Sequence, residues 1–167
     1  QRLFLPYLYI REFSGNHLPN SLVFSASEER RKDIFIFNFD SMSVTRITES
    51  RLEYSNPAVY RKDSLIFVEK SDKSRIYKYD FLNNKKVLLW EADGIIKDLT
   101  VSANGEIFFS WNSNNTFNIY RFDNPGKNPV QLTYFSTGAF NPLMFIHNRI
   151  IINCYIDRRL LNAVLYQ

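Results

Sequence analysis

Few residues of this chain have metal-binding or nucleophilic side chains. It contains one cysteine, Cys154, and two histidines, His17 and His147, among 167 residues. A single cysteine forms no internal disulfide bond, and the three residues do not have the spacing of a zinc site. Cys154 lies in the apolar run 150–155, which predicts a buried, unreactive thiol. The sequence therefore predicts no metal, no cofactor and no cysteine nucleophile.

Motifs of other active sites are also missing. The sequence contains no Gly-x-Ser-x-Gly elbow and no glycine-rich phosphate-binding loop. No apolar run approaches the roughly 18 residues of a membrane-spanning helix. A formal net charge of +4 is mild, and it does not indicate the concentrated basic face of a nucleic-acid-binding protein. We therefore expect a chain that is not an enzyme and has neither a nucleic-acid partner nor a small-molecule ligand.

Glycine is scarce and aromatic residues are abundant. The chain has 5 Gly but 15 Phe and 10 Tyr, and aromatics make up 16% of its residues. Phenylalanine and tyrosine favour β-strands, while the turns must rely on Asn, Asp, Ser and Lys. This composition predicts an all-β fold.

Strand-like runs return at nearly constant intervals. The runs that begin at Ile34, Ile76 and Ile119 start 42 and 43 residues apart. Two further sets keep the same register. The first set is Ile47-Thr48, Leu89-Trp90 and Leu132-Thr133. The second set is Val23-Phe24, Ile66-Phe67, Phe108-Phe109 and Ile151-Ile152. Asn56-Pro57 and Asn141-Pro142 follow it as well. A period of this length, with four short strands in each repeat, is typical of the blades of a β-propeller.

The repeats divide the chain into about four blades. We predict repeats over about 13–54, 55–96, 97–138 and, in part, 139–167, with an extra strand over 3–10. The last repeat lacks a fourth strand, and its segment 158–166 is either a third strand or a short helix. The extra strand either closes a four-bladed ring or belongs to a larger propeller, which we favour. A β-sandwich is the alternative fold, although it needs no such period.

One stretch resembles a known repeat family. Residues 102–110, Ser-Ala-Asn-Gly-Glu-Ile-Phe-Phe-Ser, resemble the Ser-Pro-Asp-Gly-x-x-Ile-x-Phe-x-Ser signature of TolB-like β-propellers, with Ala103 in place of the proline. The resemblance continues through 118–123, 131–133 and 140–142 and covers about residues 20–155. It implies a recognition module of the kind found in bacterial envelope scaffolds, tricorn-type proteases and prolyl oligopeptidases. A periplasmic or cell-envelope location is the corresponding expectation.

A partner-binding face can be assigned from the order of the strands. In a propeller, the connections between strands two and three lie on the same face as those between blades. The predicted face combines basic and aromatic residues, which are enriched in binding hot spots. Its members are Arg30, Arg31, Lys32, Lys70, Lys73, Arg75, Arg158, Arg159, Tyr54, Tyr134, Phe135 and Phe140. Neighbouring acidic residues dilute the charge, so an ordinary solvated set of loops is the alternative.

Three functions remain open at this point. We favour a non-enzymatic scaffold that binds protein partners in a bacterial envelope complex, because the propeller pattern comes without any catalytic motif. The alternatives are the propeller portion of a larger peptidase and a carbohydrate-binding propeller. In the last of these Trp90 and Trp111 would stack on sugars, but both fall within predicted strands and are expected in the core.

Overall fold

The computed structural model describes residues 9–14, 18–28, 31–49, 51–123, 127–145 and 149–166. Within these ranges the regular secondary structure consists of β-strands, and none of these residues is helical. The strands are β1 Tyr9–Phe13, β2 Ser21–Glu28, β3 Arg31–Asn38, β4 Ser43–Arg46, β5 Glu53–Arg61, β6 Ser64–Lys70, β7 Ser74–Asp80, β8 Lys85–Ala92, β9 Ile96–Val101, β10 Ile107–Trp111, β11 Asn118–Phe122, β12 Val130–Gln131, β13 Ala139–Phe145, β14 Arg149–Ile156 and β15 Arg159–Tyr166.

Each sequence repeat forms its own antiparallel sheet. Three sheets have four strands, in the orders β1-β2-β3-β4, β5-β6-β7-β8 and β9-β10-β11-β12, and the fourth has the order β13-β14-β15. We number these sheets blades 1 to 4. The first strands of successive blades contact one another, β1 with β5, β5 with β9 and β9 with β13. The all-β propeller prediction is therefore confirmed, and the sandwich alternative is wrong because the strands do not form two facing sheets.

The last segment of the chain forms a strand of the fourth blade. Residues 159–166 form β15, which pairs with β14 from Arg149–Tyr166 to Ile156–Arg159. The helix alternative for this segment is therefore wrong. Of the predicted extra strand over 3–10, Tyr9 and Ile10 belong to β1 of blade 1, where they pair with β2, and residues 3–8 lie outside the described residues.

The hydrophobic core lies between the blades. Side chains on one face of a blade, which we call its trailing face, pack against the leading face of the next blade. Ile66 and Val68 of blade 2 pack in this way with Ile107 and Phe109 of blade 3. In blades 2 and 3, strand two is apolar and buried at consecutive positions because neighbouring blades cover both of its faces. Burial of each such side chain stabilises the fold by roughly 1.5–3 kcal/mol.

One tight turn depends on the conformational freedom of glycine. Gly105 has φ +85°, and its N–H donates to the carbonyl of Ser102 over 2.9 Å. Glycine adopts this left-handed conformation without a steric cost. In the described part of the chain, no helix is long and apolar enough to cross a membrane.

Candidate functional site

The basic residues of blade 2 on the predicted face are largely paired with acidic side chains. The guanidinium of Arg75 lies 3.0 Å from Glu91 Oε2 and 3.0 Å from Asp72 Oδ1. Lys73 lies 3.4 Å from Glu91 Oε1. Hydrogen bonds donated by the Ser71 hydroxyl and by Arg75 lower the pKa of Asp72 to about 2. Of the three basic residues predicted here, only Lys70 is exposed, so blade 2 presents less free positive charge than its sequence indicates.

Two of the three basic residues predicted on blade 1 lie in a strand and not in a loop. Arg31 and Lys32 begin β3 and are half-buried. The ammonium of Lys32 donates to Glu12 Oε1 over 2.7 Å. Arg30 lies outside the described residues. Blade 1 therefore directs at least Lys32 towards the first strand of its own blade.

The predicted aromatic residues differ in exposure. Tyr54 was expected in an inter-blade loop, but it lies in β5 and is 3% exposed, so its assignment to the binding face is wrong. It packs edge-on against Phe67, with ring centroids 5.5 Å apart. Phe135 is half-buried against the core between blades 3 and 4. Phe140 lies in β13 and packs against Phe117, at 5.2 Å. Of these four aromatic residues, only Tyr134 has a largely exposed side chain.

Asn118 fixes the backbone on both sides of Tyr134. The Asn118 Oδ1 atom accepts hydrogen bonds from the Thr133 hydroxyl over 2.9 Å and from the Phe135 N–H over 2.8 Å. Its amide group also donates to the Phe135 carbonyl over 3.2 Å. The side chain between these anchors, Tyr134, is 81% exposed. The loop therefore holds an exposed aromatic residue on a fixed backbone.

The arginines of blade 4 lie on the same face as Tyr134 and are exposed. Asp157 and Arg158 connect β14 to β15 with φ values of 49° and 62°, which are typical of a two-residue hairpin turn of type I′. Arg158 and Arg159 are both exposed. The Thr137 hydroxyl donates to the carbonyl of Tyr155, just before this turn. This hydrogen bond links the segment after Tyr134 to the end of β14, next to the arginine turn. We call Tyr134, Arg158 and Arg159 the blade 4 rim.

A set of hydrogen bonds around the central cleft was not predicted. The inner strands of blades 1 to 3 each use one side chain to accept a hydrogen bond from a backbone N–H of the next blade. Glu12 Oε2 accepts from Asn56 over 2.8 Å, Asn56 Oδ1 from Asp98 over 2.9 Å, and Asp98 Oδ2 from Asn141 over 3.2 Å. Asn56, Asp98 and Asn141 all have positive φ. The register of the inner strands shifts at Asn56-Pro57 and at Asn141-Pro142, and the repeated Asn-Pro pairs were the sequence signal for these irregularities. The residues to which Asn56 and Asn141 form hydrogen bonds lie one blade away.

The carboxylates of this cleft already have hydrogen-bond partners. Burial raises the pKa of Glu12, but hydrogen bonds from Lys32, Ser25 and the backbone of Asn56 outweigh it, so the pKa is lower than usual. Asp98 accepts a further hydrogen bond from the Ser110 hydroxyl over 2.8 Å. The cleft has a volume of about 230 Å³. Its polar groups hold neighbouring blades together.

The remaining residues singled out from the sequence are packed. Trp90 and Trp111 are half-buried in β8 and β10, with ring centroids 5.0 Å apart. Cys154 is buried between blades 3 and 4. Among the described residues, no group of three or more His, Cys, Asp or Glu side chains is placed to hold a metal ion.

Comparisons with known proteins support a fold and no closer relationship. No protein-family model matches the chain, and no curated protein sequence matches it. TolB from Acinetobacter baumannii has a similar structure, with a TM-score of 0.68 and 20% identity, over 88% of this chain and 38% of that one. A chain of the nidogen/laminin complex matches with a TM-score of 0.73 and 12% identity, over 98% of this chain and 66% of that one.

The propeller domain of the Trilobed protease from Pyrococcus furiosus also matches. Its TM-score is 0.64 at 12% identity, over 98% of this chain and 56% of that domain. The chain has a TolB-like β-propeller fold. It spans less than half of the A. baumannii TolB chain. The TolB-like fold is thus shared here with both non-peptidase and peptidase structures, and function has to be argued from the chain's own surface.

Proposed function

We propose that this chain is a non-enzymatic scaffold module that binds a protein partner through the blade 4 rim. The observation that carries the proposal is Tyr134, which is 81% exposed while hydrogen bonds to Asn118 fix the residues on either side of it. An aromatic side chain on a fixed backbone loses little conformational entropy on binding. Tyrosine is also among the residues that dominate binding hot spots.

The charges of the rim favour a partner with an acidic surface. Arg158 and Arg159 are exposed beside the Tyr134 loop. Arg75 of blade 2, in contrast, is engaged by Glu91 and Asp72. Exposed arginines form bidentate hydrogen bonds with carboxylates. The proposed binding surface is therefore the blade 4 rim, with Lys70 as an outlying member, and not the whole face that was predicted from the sequence.

We extend the proposal to a periplasmic or cell-envelope complex in a bacterium. The resemblance in sequence and the similarity in fold to TolB from A. baumannii support this location. In such a complex the chain would contribute a rigid surface and no chemistry.

Affinity capture from a bacterial envelope extract tests the rim. The wild type is compared with Tyr134→Ala and with the double variant Arg158→Glu/Arg159→Glu. Leu82→Ala is the matched control, because Leu82 is 82% exposed and lies in the turn between β7 and β8, on the opposite face. A true partner is retained by the wild type and the control but lost by both rim variants. With that partner purified, Tyr134→Ala should weaken binding at least about tenfold.

Unchanged affinity of both rim variants for every captured protein would overturn the proposal. The unfolding free energy of Tyr134→Ala should stay within about 0.5 kcal/mol of the wild type. This measurement separates a lost contact from a lost fold.

A second candidate is the propeller portion of a larger peptidase. The match to the propeller domain of the Trilobed protease favours it, since this chain spans 56% of that domain. The intact mass of the native polypeptide tests it. A polypeptide that also contains a catalytic domain would establish this function, and a mass near 19.8 kDa would exclude it.

A further inference from the structure

A cleft opens between blades 2 and 3, on the face opposite the blade 4 rim. It has a volume of about 160 Å³. Its floor consists of apolar side chains from three strands, namely Leu89 of β8, Ile107 of β10 and Phe122 of β11. Each of these two blades has a neighbouring blade on both sides, so the cleft is an internal feature of the stack of blades.

An irregularity of β5 turns two consecutive side chains into the cleft. Val59 pairs with Leu65 of β6. Arg61 already pairs with Ser64, so Tyr60 is an extra residue in β5. Such a bulge interrupts the alternation of side chains between the two faces of a strand and redirects them. As a result, Tyr60 and Arg61 both line the cleft.

Two cationic side chains lie over the ring of Tyr60. The guanidinium carbon of Arg61 is 5.4 Å from the ring centroid, and the ammonium of Lys78 is 5.7 Å from it. In the part of the chain that the structure describes, neither cation forms an ion pair with a carboxylate. An arginine that lies over an aromatic ring keeps its N–H groups free for a carboxylate.

Two carboxylates close to these cations have other partners. Asp123 lines the cleft, but its oxygens lie 2.7 and 3.2 Å from nitrogen atoms of Arg121. Asp80, two residues after Lys78, accepts two hydrogen bonds from backbone N–H groups of its own turn, each over 3.0 Å. The two cations of the cleft are therefore available to an anion from outside the chain.

Gly105 leaves space beside the ring of Tyr60. It lines the cleft at the turn between β9 and β10, where its φ is +85°. A Cβ atom at this position would lie 3.9 Å from the hydroxyl oxygen of Tyr60. The turn therefore meets the cleft with a residue that has no side chain to fill it.

The size and the chemistry of the cleft match one class of ligand. A cavity of about 150 Å³ inside a protein accommodates benzene, so this cleft has room for one six-membered ring. Guanidinium and ammonium groups form strong, charge-assisted hydrogen bonds with carboxylates. An apolar floor with a cationic edge is thus suited to a molecule that combines a ring with a carboxylate.

We propose that the cleft between blades 2 and 3 binds a small carboxylic acid with one aromatic or aliphatic ring. The ring contacts the apolar floor, and the carboxylate binds Arg61 and Lys78. No sequence motif indicated this site, because its residues come from two blades. It is separate from the blade 4 rim and does not depend on the partner proposed there.

Benzoate is the probe, and NMR of the isotopically labelled protein is the measurement. Benzoate should shift the amide resonance of Gly105 saturably, with a dissociation constant in the millimolar range expected for so small a ligand. Benzamide keeps the ring without the charge, and acetate keeps the charge without the ring. Each should bind at least about tenfold more weakly than benzoate.

Charge-removing variants test the contact with the carboxylate. The double variant Arg61→Gln/Lys78→Gln should bind benzoate at least about tenfold more weakly than the wild type, and its dispersed amide spectrum will show that it is folded. Lys62→Gln is the matched control, because Lys62 is an exposed cation next to Arg61 that does not line the cleft. At physiological salt it should change the affinity by less than about twofold.

The absence of a saturable shift of Gly105 with benzoate would overturn the proposal. Equal affinities for benzoate and benzamide would do the same, and so would an unchanged benzoate affinity of the double variant, because the two cations would then not recognise the carboxylate. A loss in Lys62→Gln as large as in the double variant would also overturn it, since the attraction would then come from positive charge in general.

Discussion

Blades 2 and 4 are built from equivalent strands, but blade 2 is enclosed and blade 4 is open. In blade 2, Ile66 and Ile76 are fully buried against blade 3. In blade 4, Ile151 is half-buried, and an exposed residue, Asn162, stands at the position of Ile76. The same repeat thus supplies a core element in one place and a surface in another, and the presence of a neighbouring blade makes the difference.

Their charged side chains differ in the same way. Blade 2 holds Glu69 at 5% side-chain exposure, 2.8 Å from the ammonium of Lys86. Burial lowers the pKa of Lys86, but hydrogen bonds to Glu69 and Tyr54 outweigh it and leave the pKa raised. On blade 4, Arg158 and Arg159 remain exposed. Charge within blade 2 therefore stabilises the fold, whereas charge on blade 4 remains available to a partner.

The largest difference should appear when equivalent isoleucines are truncated. Ile66→Ala should lower the unfolding free energy by about 2–5 kcal/mol, because it opens a cavity between two blades. Ile151→Ala should cost only about 1 kcal/mol, because its side chain is already partly in water. Urea-induced unfolding of both variants measures the losses. Equal losses would mean that blade 4 is as enclosed as blade 2 in solution.

A smaller difference should separate the charged residues of the two blades. Lys86→Met leaves the Glu69 carboxylate without its nearest ammonium and should cost about 1–2 kcal/mol, after allowance for the partial exposure of Lys86. Arg159→Met, on the exposed strand of blade 4, should change the unfolding free energy by less than about 0.5 kcal/mol. The same unfolding experiment compares them. A loss for Arg159→Met that matches Lys86→Met would contradict the contrast between the blades.

The sequence predicted the blades well because their period is a local property. Strand two of each blade is apolar at consecutive positions, and the equivalent runs stay 42 and 43 residues apart. The binding face was predicted less well. Tyr54 was assigned to a connection between blades, but β5 already begins at Glu53, and Tyr54 is in fact buried.

The ion pairs could not be predicted from the sequence, for a different reason. Arg75 and Glu91 lie on neighbouring strands, 16 residues apart, and their contact depends on the register of β7 with β8. The same holds for the hydrogen bonds around the central cleft, in which the accepting and the donating residue are 42 to 44 residues apart. A sequence repeat can be recognised without knowing how its strands pair. Contacts between side chains of different strands or blades cannot be predicted without that information.

The smallest effect concerns the acidic residue that engages Arg75 in blade 2. Asp72 should titrate at about 2, below its ordinary value of 3.8, because its carboxylate accepts hydrogen bonds from Ser71 and Arg75. Its charged form therefore favours the folded state above pH 3.8, and that contribution disappears as the pH falls to about 2. Ser71→Ala and Arg75→Gln should each raise this pKa. The carboxyl resonance of Asp72, followed by NMR against pH, measures it.

Arg159→Gln is the control, because it removes an equally basic side chain from blade 4. It should leave the titration of Asp72 unchanged, since the charges of the two blades do not share partners in the described residues. If Asp72 titrates near 3.8 in the wild type, Arg75 is not held by its own loop. Arg75 would then be engaged by Glu91 without Asp72, and the difference in available positive charge between the two blades would be smaller.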